Sequence, residues 1–303
     1  MALKKFFKRK LETILLAAAF LTCNISCEEQ ILPKLEQRLK IPAKKNNQQD
    51  KYAVIIAGGD RDDFILDTIC TYRTLRAIGF KRENIYVLDR LGSSIYVEED
   101  GNKYVISKEF KESMDYHSDG LATEENVRKV FSYLAKKIDK DDMLYVGLTS
   151  HGEMLNGDGL PIWVYNGNEK RFAESSAITF IDNYMSAESL KYILDRIHSR
   201  TTIVLADTCY GAYFAKKFSH GRYVGMSANS LWELAFGSSV TSYTRSFFRA
   251  FEDSSRSDKN KDGLISIQEA FDYVLKNNFY VKVKDMKPQL ESEKNLDKLY
   301  LEE

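Results

Sequence analysis

Cysteine is scarce in this 303-residue chain: four occur in all, and only Cys70 and Cys209 lie beyond Cys27. That excludes a disulfide-built scaffold and leaves the body of the chain at most one bridge. A surplus of charge of one sign is also missing. Forty-four basic residues balance forty-four acidic ones, so no net field marks nucleic acid or an anionic surface as the main partner. No apolar run is long enough to span a bilayer comfortably; residues 14–21 are the nearest candidate and fall short. No internal repeat or low-complexity block appears after residue 50. What is present is a hydrophobic content of 44%, enough to bury one sizeable core.

The N-terminus reads as an export signal over residues 1–27. Lys4, Lys5, Lys8, Arg9 and Lys10 precede the apolar stretch, the order such signals use. Ser26-Cys27 places a small residue before cysteine, as bacterial lipoprotein signals do, so Cys27 is the expected lipidation site, with Leu21-Thr22-Cys23 as the rival. Residues 28–50 are polar and charged and read as a flexible tether. The expectation is an exported, membrane-anchored lipoprotein whose folded domain covers residues 51–303.

In that domain, short apolar runs alternate with helical patterns. The runs cover residues 52–57, 85–88, 143–148, 203–206 and 223–226, and are nearly continuous, as in parallel strands covered on both faces. Val127, Val130, Phe131 and Leu134 follow helical spacing with Thr123 as N-cap; Leu190, Ile193, Leu194 and Ile197 do so after Ser186. Ile65, Ile69 and Tyr72 mark a third helix, Tyr243, Phe247 and Phe251 a fourth. This alternation predicts an α/β fold with a mostly parallel central sheet flanked by helices. Residues 92–120 read as an excursion from the sheet edge with a hairpin turn at Glu98-Glu99-Asp100-Gly101-Asn102. Residues 153–185 read as irregular, and residues 279–283 as a last strand.

Two predicted strand ends carry chemistry, and strand carboxyl ends are where open parallel sheets bind ligands. One runs into Ser150-His151-Gly152, the other into Asp207-Thr208-Cys209-Tyr210-Gly211. A cysteine nucleophile needs a base, which imidazole supplies. Acyl transfer also needs oxyanion donors, for which the N–H groups of Gly152 and Cys209 are candidates. Taken singly, a cysteine or histidine at a strand end is more often structural. Their joint placement on consecutive central strands favours a His151–Cys209 dyad over the other three histidines. Cys70, in an amphipathic helix, reads as a buried structural thiol.

These blocks, Ser150-His151-Gly152 and residues 206–212 (ADTCYGA), resemble the catalytic blocks of the legumain family of cysteine peptidases, which includes the catalytic subunit of the GPI transamidase. The resemblance spans roughly residues 51–255. It implies a caspase-like three-layer α/β fold, a Cys–His dyad, a thioester acyl-enzyme and a peptide or protein substrate cut after a selected P1 residue. Asparagine-specific members carry an arginine in the first strand–helix connection; here Asp63 falls at that place, beside Arg61 and Asp62. The expectation is an acidic pocket for basic P1 residues, with Asp207 and Asp63 as its carboxylates and Glu233 as another wall. The competing reading makes Asp63 merely the start of a helix. A transamidase, a thiol esterase and a non-catalytic calcium-stabilised binding module are the alternatives to a peptidase.

Asp258 to Glu269 (DKNKDGLISIQE) matches a twelve-residue EF-hand loop: Asp258, Asn260, Asp262 and Ser266 at positions 1, 3, 5 and 9, Gly263 at 6, the Leu264 carbonyl at 7 and Glu269 at 12. A solitary loop of this kind predicts a structural Ca²⁺; the rival reading is a calcium-free turn capping the next helix. Nothing in the sequence points to an organic cofactor.

Overall fold

The computed structural model describes Leu39 and residues 49–59, 61–89, 95–99, 102–106, 116, 118–155, 161–162, 175–179, 184–238 and 241–302. The export signal, Cys27 and nearly all of the tether lie outside the described residues. Leu39, Gln49 and Asp50 are the exceptions, and Leu39 packs against the core.

The chain begins with β1 (Lys51–Ala57), α1 (Asp62–Ala77), β2 (Ile85–Asp89) and the pair β3 (Ile95–Glu99) and β4 (Asn102–Ile106). A short β5 (Gly120–Leu121), α2 (Glu124–Lys137) and β6 (Met143–Thr149) follow. Next come β7 (Gly152–Leu155), β8 (Pro161–Ile162), β9 (Ser175–Thr179), β10 (Tyr184–Ser186) and α3 (Ala187–Leu194). The last part holds β11 (Thr201–Asp207), α4 (Ala212–Lys217), β12 (Tyr223–Ser227), α5 (Tyr243–Glu252), α6 (Ser254–Ser257), α7 (Ile267–Asn277), α8 (Phe279–Val283) and β13 (Gln289–Glu291).

Seven strands form the central sheet in the order β13-β12-β11-β6-β1-β2-β5. All pairs are parallel except β12 with β13. The continuous apolar runs bury both faces. Ala53, Ile55, Tyr145, Ile203 and Leu205 point to a core shared with α1, α5 and α7. Val54, Ile56, Val146, Val204 and Ala206 point to a second core under α2, α3 and α4. The α/β three-layer architecture is therefore the expected one.

Local signals explain the helices. Thr123 Oγ1 accepts from Asn126 N (3.3 Å) and Ser186 Oγ from Ser189 N (3.1 Å), each cap contributing about 1 kcal/mol. Val127, Val130, Phe131 and Leu134 of α2 are at most 1% exposed, a stripe in which each side chain stabilises by about 1.5–3 kcal/mol.

Two expectations are corrected. Residues 153–185 are not irregular throughout: β7 to β10 form a second, four-stranded antiparallel sheet. Residues 279–283 form α8 instead of a strand. Asn278 Oδ1 accepts from Tyr280 N (2.8 Å) and Val281 N (3.1 Å), while its amide donates to Ser242 O and Ser246 Oγ; this anchored cap overrides the β propensity of the run. The closing strand is β13. The hairpin at the sheet edge is as expected, with Glu99 paired to Asn102.

Candidate active site

The sheet brings the two chemical blocks together by register. Thr149, the last residue of β6, pairs with Asp207, the last of β11. His151 and Cys209 therefore each stand two residues past matched positions on neighbouring strands, which lie about 4.8 Å apart. Both line one small cavity of ≈ 30 Å³, with Arg61, Phe64, Ala235 and Gly237. That volume holds about one or two waters. The exposed His151 ring meets Phe64 edge-on, with centroids 5.2 Å apart.

Gly152 is required by space. A Cβ there would stand 2.1 Å from Cys209 O and 2.4 Å from Thr208 Oγ1. With that approach open, the N–H groups of Gly152 and Ala235 come near enough to the Cys209 sulfur to favour its charged form. Burial pushes the Cys209 thiol up and Asp207 adds to it, while the two N–H donors and the Arg61 guanidinium pull the other way without overcoming it. At rest the raised Cys209 side chain favours the thiol over the thiolate. Cys70 and Cys209 are unpaired, and burial pushes Cys70 up to about 12, as for an inert structural thiol.

The turn that presents Cys209 is strained and clamped. Tyr210 has φ of 59°, a left-handed conformation costing a bulky L-residue about 1–2 kcal/mol. Tyr210 N donates to Glu233 O (2.9 Å). Asn229, fully buried, ties both loops: its Oδ1 accepts from Gly211 N (2.9 Å), and its amide donates to Thr208 O (3.1 Å) and Glu233 O (2.9 Å). Sequence reasoning missed Asn229, because one asparagine after a strand reads as ordinary loop.

Asp207 and Asp63, the carboxylates expected in an acidic P1 pocket, both line the cavity together with Asp67, and each is engaged within the chain. Asp207 is 6% exposed and its Oδ2 accepts from Thr244 N at the start of α5 (2.9 Å). Burial, with Asp67 nearby, pushes its carboxyl up to about 7. Asp63 lies in the first turn of α1 and is bound in bidentate fashion by Arg61 (2.9 and 2.7 Å), which also reaches Gly237 O (3.1 Å). The Glu233 carboxylate faces Ser230 N and Lys287 (3.6 Å) and does not line the cavity. All three carboxylates are engaged within the chain.

A buried ion pair beneath the cavity was likewise not read from sequence. Asp67 Oδ1 accepts from Arg245 Nε (2.7 Å) and Ser242 Oγ (2.6 Å), and its Oδ2 from Thr149 Oγ1 (3.1 Å). The Arg245 guanidinium also donates to Ser238 O. The pair locks α1, β6, α5 and the 235–238 wall together.

In the 258–269 loop, Lys261 and Gly263 take the left-handed backbone (φ 61° and 89°) of the motif's sharp turn. Asp258 Oδ1 is buried without a hydrogen-bond partner, an orphan acceptor of the kind a cation satisfies. Asp258 Oδ2 accepts from Gly263 N, Asn260 Oδ1 from Asp262 N and Asp262 Oδ1 from Leu264 N. Glu269 turns to the N–H groups of Lys259 (2.8 Å), Asn260 (3.2 Å) and Ser266 (3.0 Å). Burial opposes its charge, but these donors outweigh it and hold its carboxyl below the ordinary range. Ser266 and Glu269 also form a reciprocal capping box on α7. Among the described residues, no three His, Cys, Asp or Glu side chains converge as a metal cluster. The residue types and turn fit Ca²⁺, and Glu269 would have to leave its N–H donors to join them.

No family model and no curated protein compared with this chain matches it. Among solved structures, it is similar to protein GSU0716 from Geobacter sulfurreducens, a Northeast Structural Genomics target, with a TM-score of 0.53 and 10% sequence identity, covering 82% of this chain and 97% of that one. At that identity the likeness concerns the fold alone.

Proposed function

We propose that the chain is a cysteine endopeptidase in which Cys209 is the nucleophile and His151 its acid–base partner. The observation that carries this reading is the in-register placement of the two residues past β6 and β11, where both line one cavity. His151 takes the thiol proton as sulfur attacks the scissile carbonyl, then protonates the leaving amine. Water, activated by the same imidazole, releases the acyl group from the thioester. The Gly152 and Ala235 N–H groups, on the wall beside the sulfur, would serve as donors for the developing oxyanion.

The wall around the cavity favours a neutral or small P1 side chain over a basic one. A basic group would meet the Arg61 guanidinium, and the carboxylates that would receive it are occupied. The chain is further proposed to be an exported lipoprotein and to take a structural Ca²⁺ through Asp258, Asn260, Asp262, the Leu264 carbonyl, Ser266 and Glu269, with no step of the reaction passing through the ion.

The test is turnover of a P1-varied peptide library by the full chain, beside Cys209→Ala and His151→Ala, with products analysed in the presence of an added amine. Cleavage lost in both variants supports the reading, and an amide product with the added amine makes the enzyme a transamidase. Turnover unchanged in Cys209→Ala would overturn it.

A further inference from the structure

We propose that a cavity at the opposite end of the sheet binds a phosphate-bearing anion. The cavity measures ≈ 330 Å³ and lies between the start of β11 and the C-terminal segment, lined by Arg200, Thr201, Lys294, Asn295, Lys298 and Tyr300 among others. Three of these side chains are cationic and none is acidic. Among the described residues, the side chains of Arg200, Lys294 and Lys298 have no hydrogen-bond, ion-pair or ring partner. Lys294 is pushed below the ordinary lysine value, first by burial and then by the Arg200 charge, and no carboxylate acts on it in the opposite sense.

Several other cations of this fold are answered from within it. Lys51 donates to the carbonyls of Ile78, Leu301 and Glu302, Arg245 pairs with Asp67, Arg61 with Asp63 and Arg82 with Asp119. Lys294 is half-buried while Arg200 and Lys298 are exposed, and like charges gathered in a concave site repel one another unless a counter-charge enters. A carboxylate of single charge would leave two cations unanswered, whereas a phosphoryl group carries more charge and three acceptor oxygens. Asn295 adds a neutral donor: its carbonyl oxygen accepts from Asp297 N (3.2 Å), which leaves its amide NH₂ to give. The volume sits at the small end of ligand pockets, suited to pyrophosphate or a compact phosphorylated group.

The site is separate from the dyad. β11 runs from Thr201 at this cavity to Asp207 beside Cys209, a span of about 20 Å. Thr201 pairs with Met143 and Met143 with Lys51, so the cavity shares the pole at which the N-terminal segment enters the sheet. The phosphate can come from a soluble compound or from a phospholipid headgroup.

The experiment uses the full chain in a neutral detergent. Pyrophosphate is titrated calorimetrically at fixed ionic strength, and detergent-solubilised phosphatidylglycerol is compared with phosphatidylcholine in a second arm. Pyrophosphate is expected to bind, with affinity falling at least tenfold in Arg200→Ala/Lys298→Ala and unchanged in Lys216→Ala/Lys276→Ala, whose cations lie elsewhere. The first double variant should melt no lower than the parent, because it relieves repulsion. A matching, residue-dependent preference for phosphatidylglycerol identifies a lipid source, and its absence a soluble one. No binding of either probe, or equal binding by parent and Arg200→Ala/Lys298→Ala, would overturn the proposal. Peptide turnover should be the same in both double variants, which separates this outcome from the fate of the peptidase reading.

Discussion

The loops ending in His151 and Cys209 differ from the loop of residues 258–269 in how their chemistry is assembled. Both stand out in the sequence as motifs. The first pair hangs from adjacent strands whose pairing fixes Thr149 opposite Asp207, so the sheet converges the functional groups without a ligand. The second has no such frame. Its side chains bond to the loop's own N–H groups, and Glu269 is held by Lys259, Asn260 and Ser266. A motif on rigid strand ends is thus preassembled, whereas a motif on a turn needs its ligand to gather it.

The largest expected effect tests the first half of that contrast. Cys209→Ala and His151→Ala should each lower kcat/KM by about a thousandfold or more while leaving the melting temperature nearly unchanged, as befits groups whose work is chemical. Gly152→Ala should lose activity comparably, because its Cβ would collide with Cys209 O; steady-state kinetics and melting curves on the same preparations check both.

Next comes the frame. Asn229→Ala leaves Gly211 N and Thr208 O without this partner and Glu233 O with Tyr210 N alone, and a cost of about 3 kcal/mol is expected. Arg245→Leu strips Asp67 of its cation and should cost about 3–5 kcal/mol. Urea denaturation measures both, and kcat should fall in Asn229→Ala even where the protein is fully folded.

For the second loop, 10 mM calcium added to chelated protein should stabilise by about 1–3 kcal/mol for a dissociation constant on the order of 10⁻⁴–10⁻³ M. Glu269→Gln should remove most of that response. An identical calcium shift in parent and Glu269→Gln would break the contrast, since position 12 would then have no part in binding.

The smallest effect concerns Asp207. Its folded pKa, about 7, lies above the unfolded value near 3.9. The stability it contributes is therefore complete below about pH 4 and is lost as pH rises to about 7. Asp207→Asn should gain on the order of 1 kcal/mol over the parent at pH 8 and little at pH 4, as read from denaturation at the two pH values.

The sequence disclosed most of the scaffold because buried parallel strands write themselves as unbroken apolar runs: all five predicted runs are strands of the central sheet. It disclosed Thr123 and Ser186 as caps for an equally local reason. What it hid depends on contacts between distant residues. Asn229 and the Asp67–Arg245 pair, 178 residues apart, carry no periodic signature. The partners of the cavity's carboxylates were hidden for the same reason: a carboxylate's charge is visible in sequence, but its partner, Arg61 for Asp63 and Thr244 N for Asp207, is fixed by the fold. The run at 279–283 misled because Asn278 caps it through contacts with Ser242 and Ser246 on another helix.

The clamp made by Asn229 grips Glu233 through its backbone carbonyl, not its side chain. The Glu233 side chain, which the clamp does not touch, can therefore change without loosening the turn that carries Cys209. The backbone that holds the Cys209 turn and the side chains that face the cavity are thus separable, so one can vary while the other stays fixed.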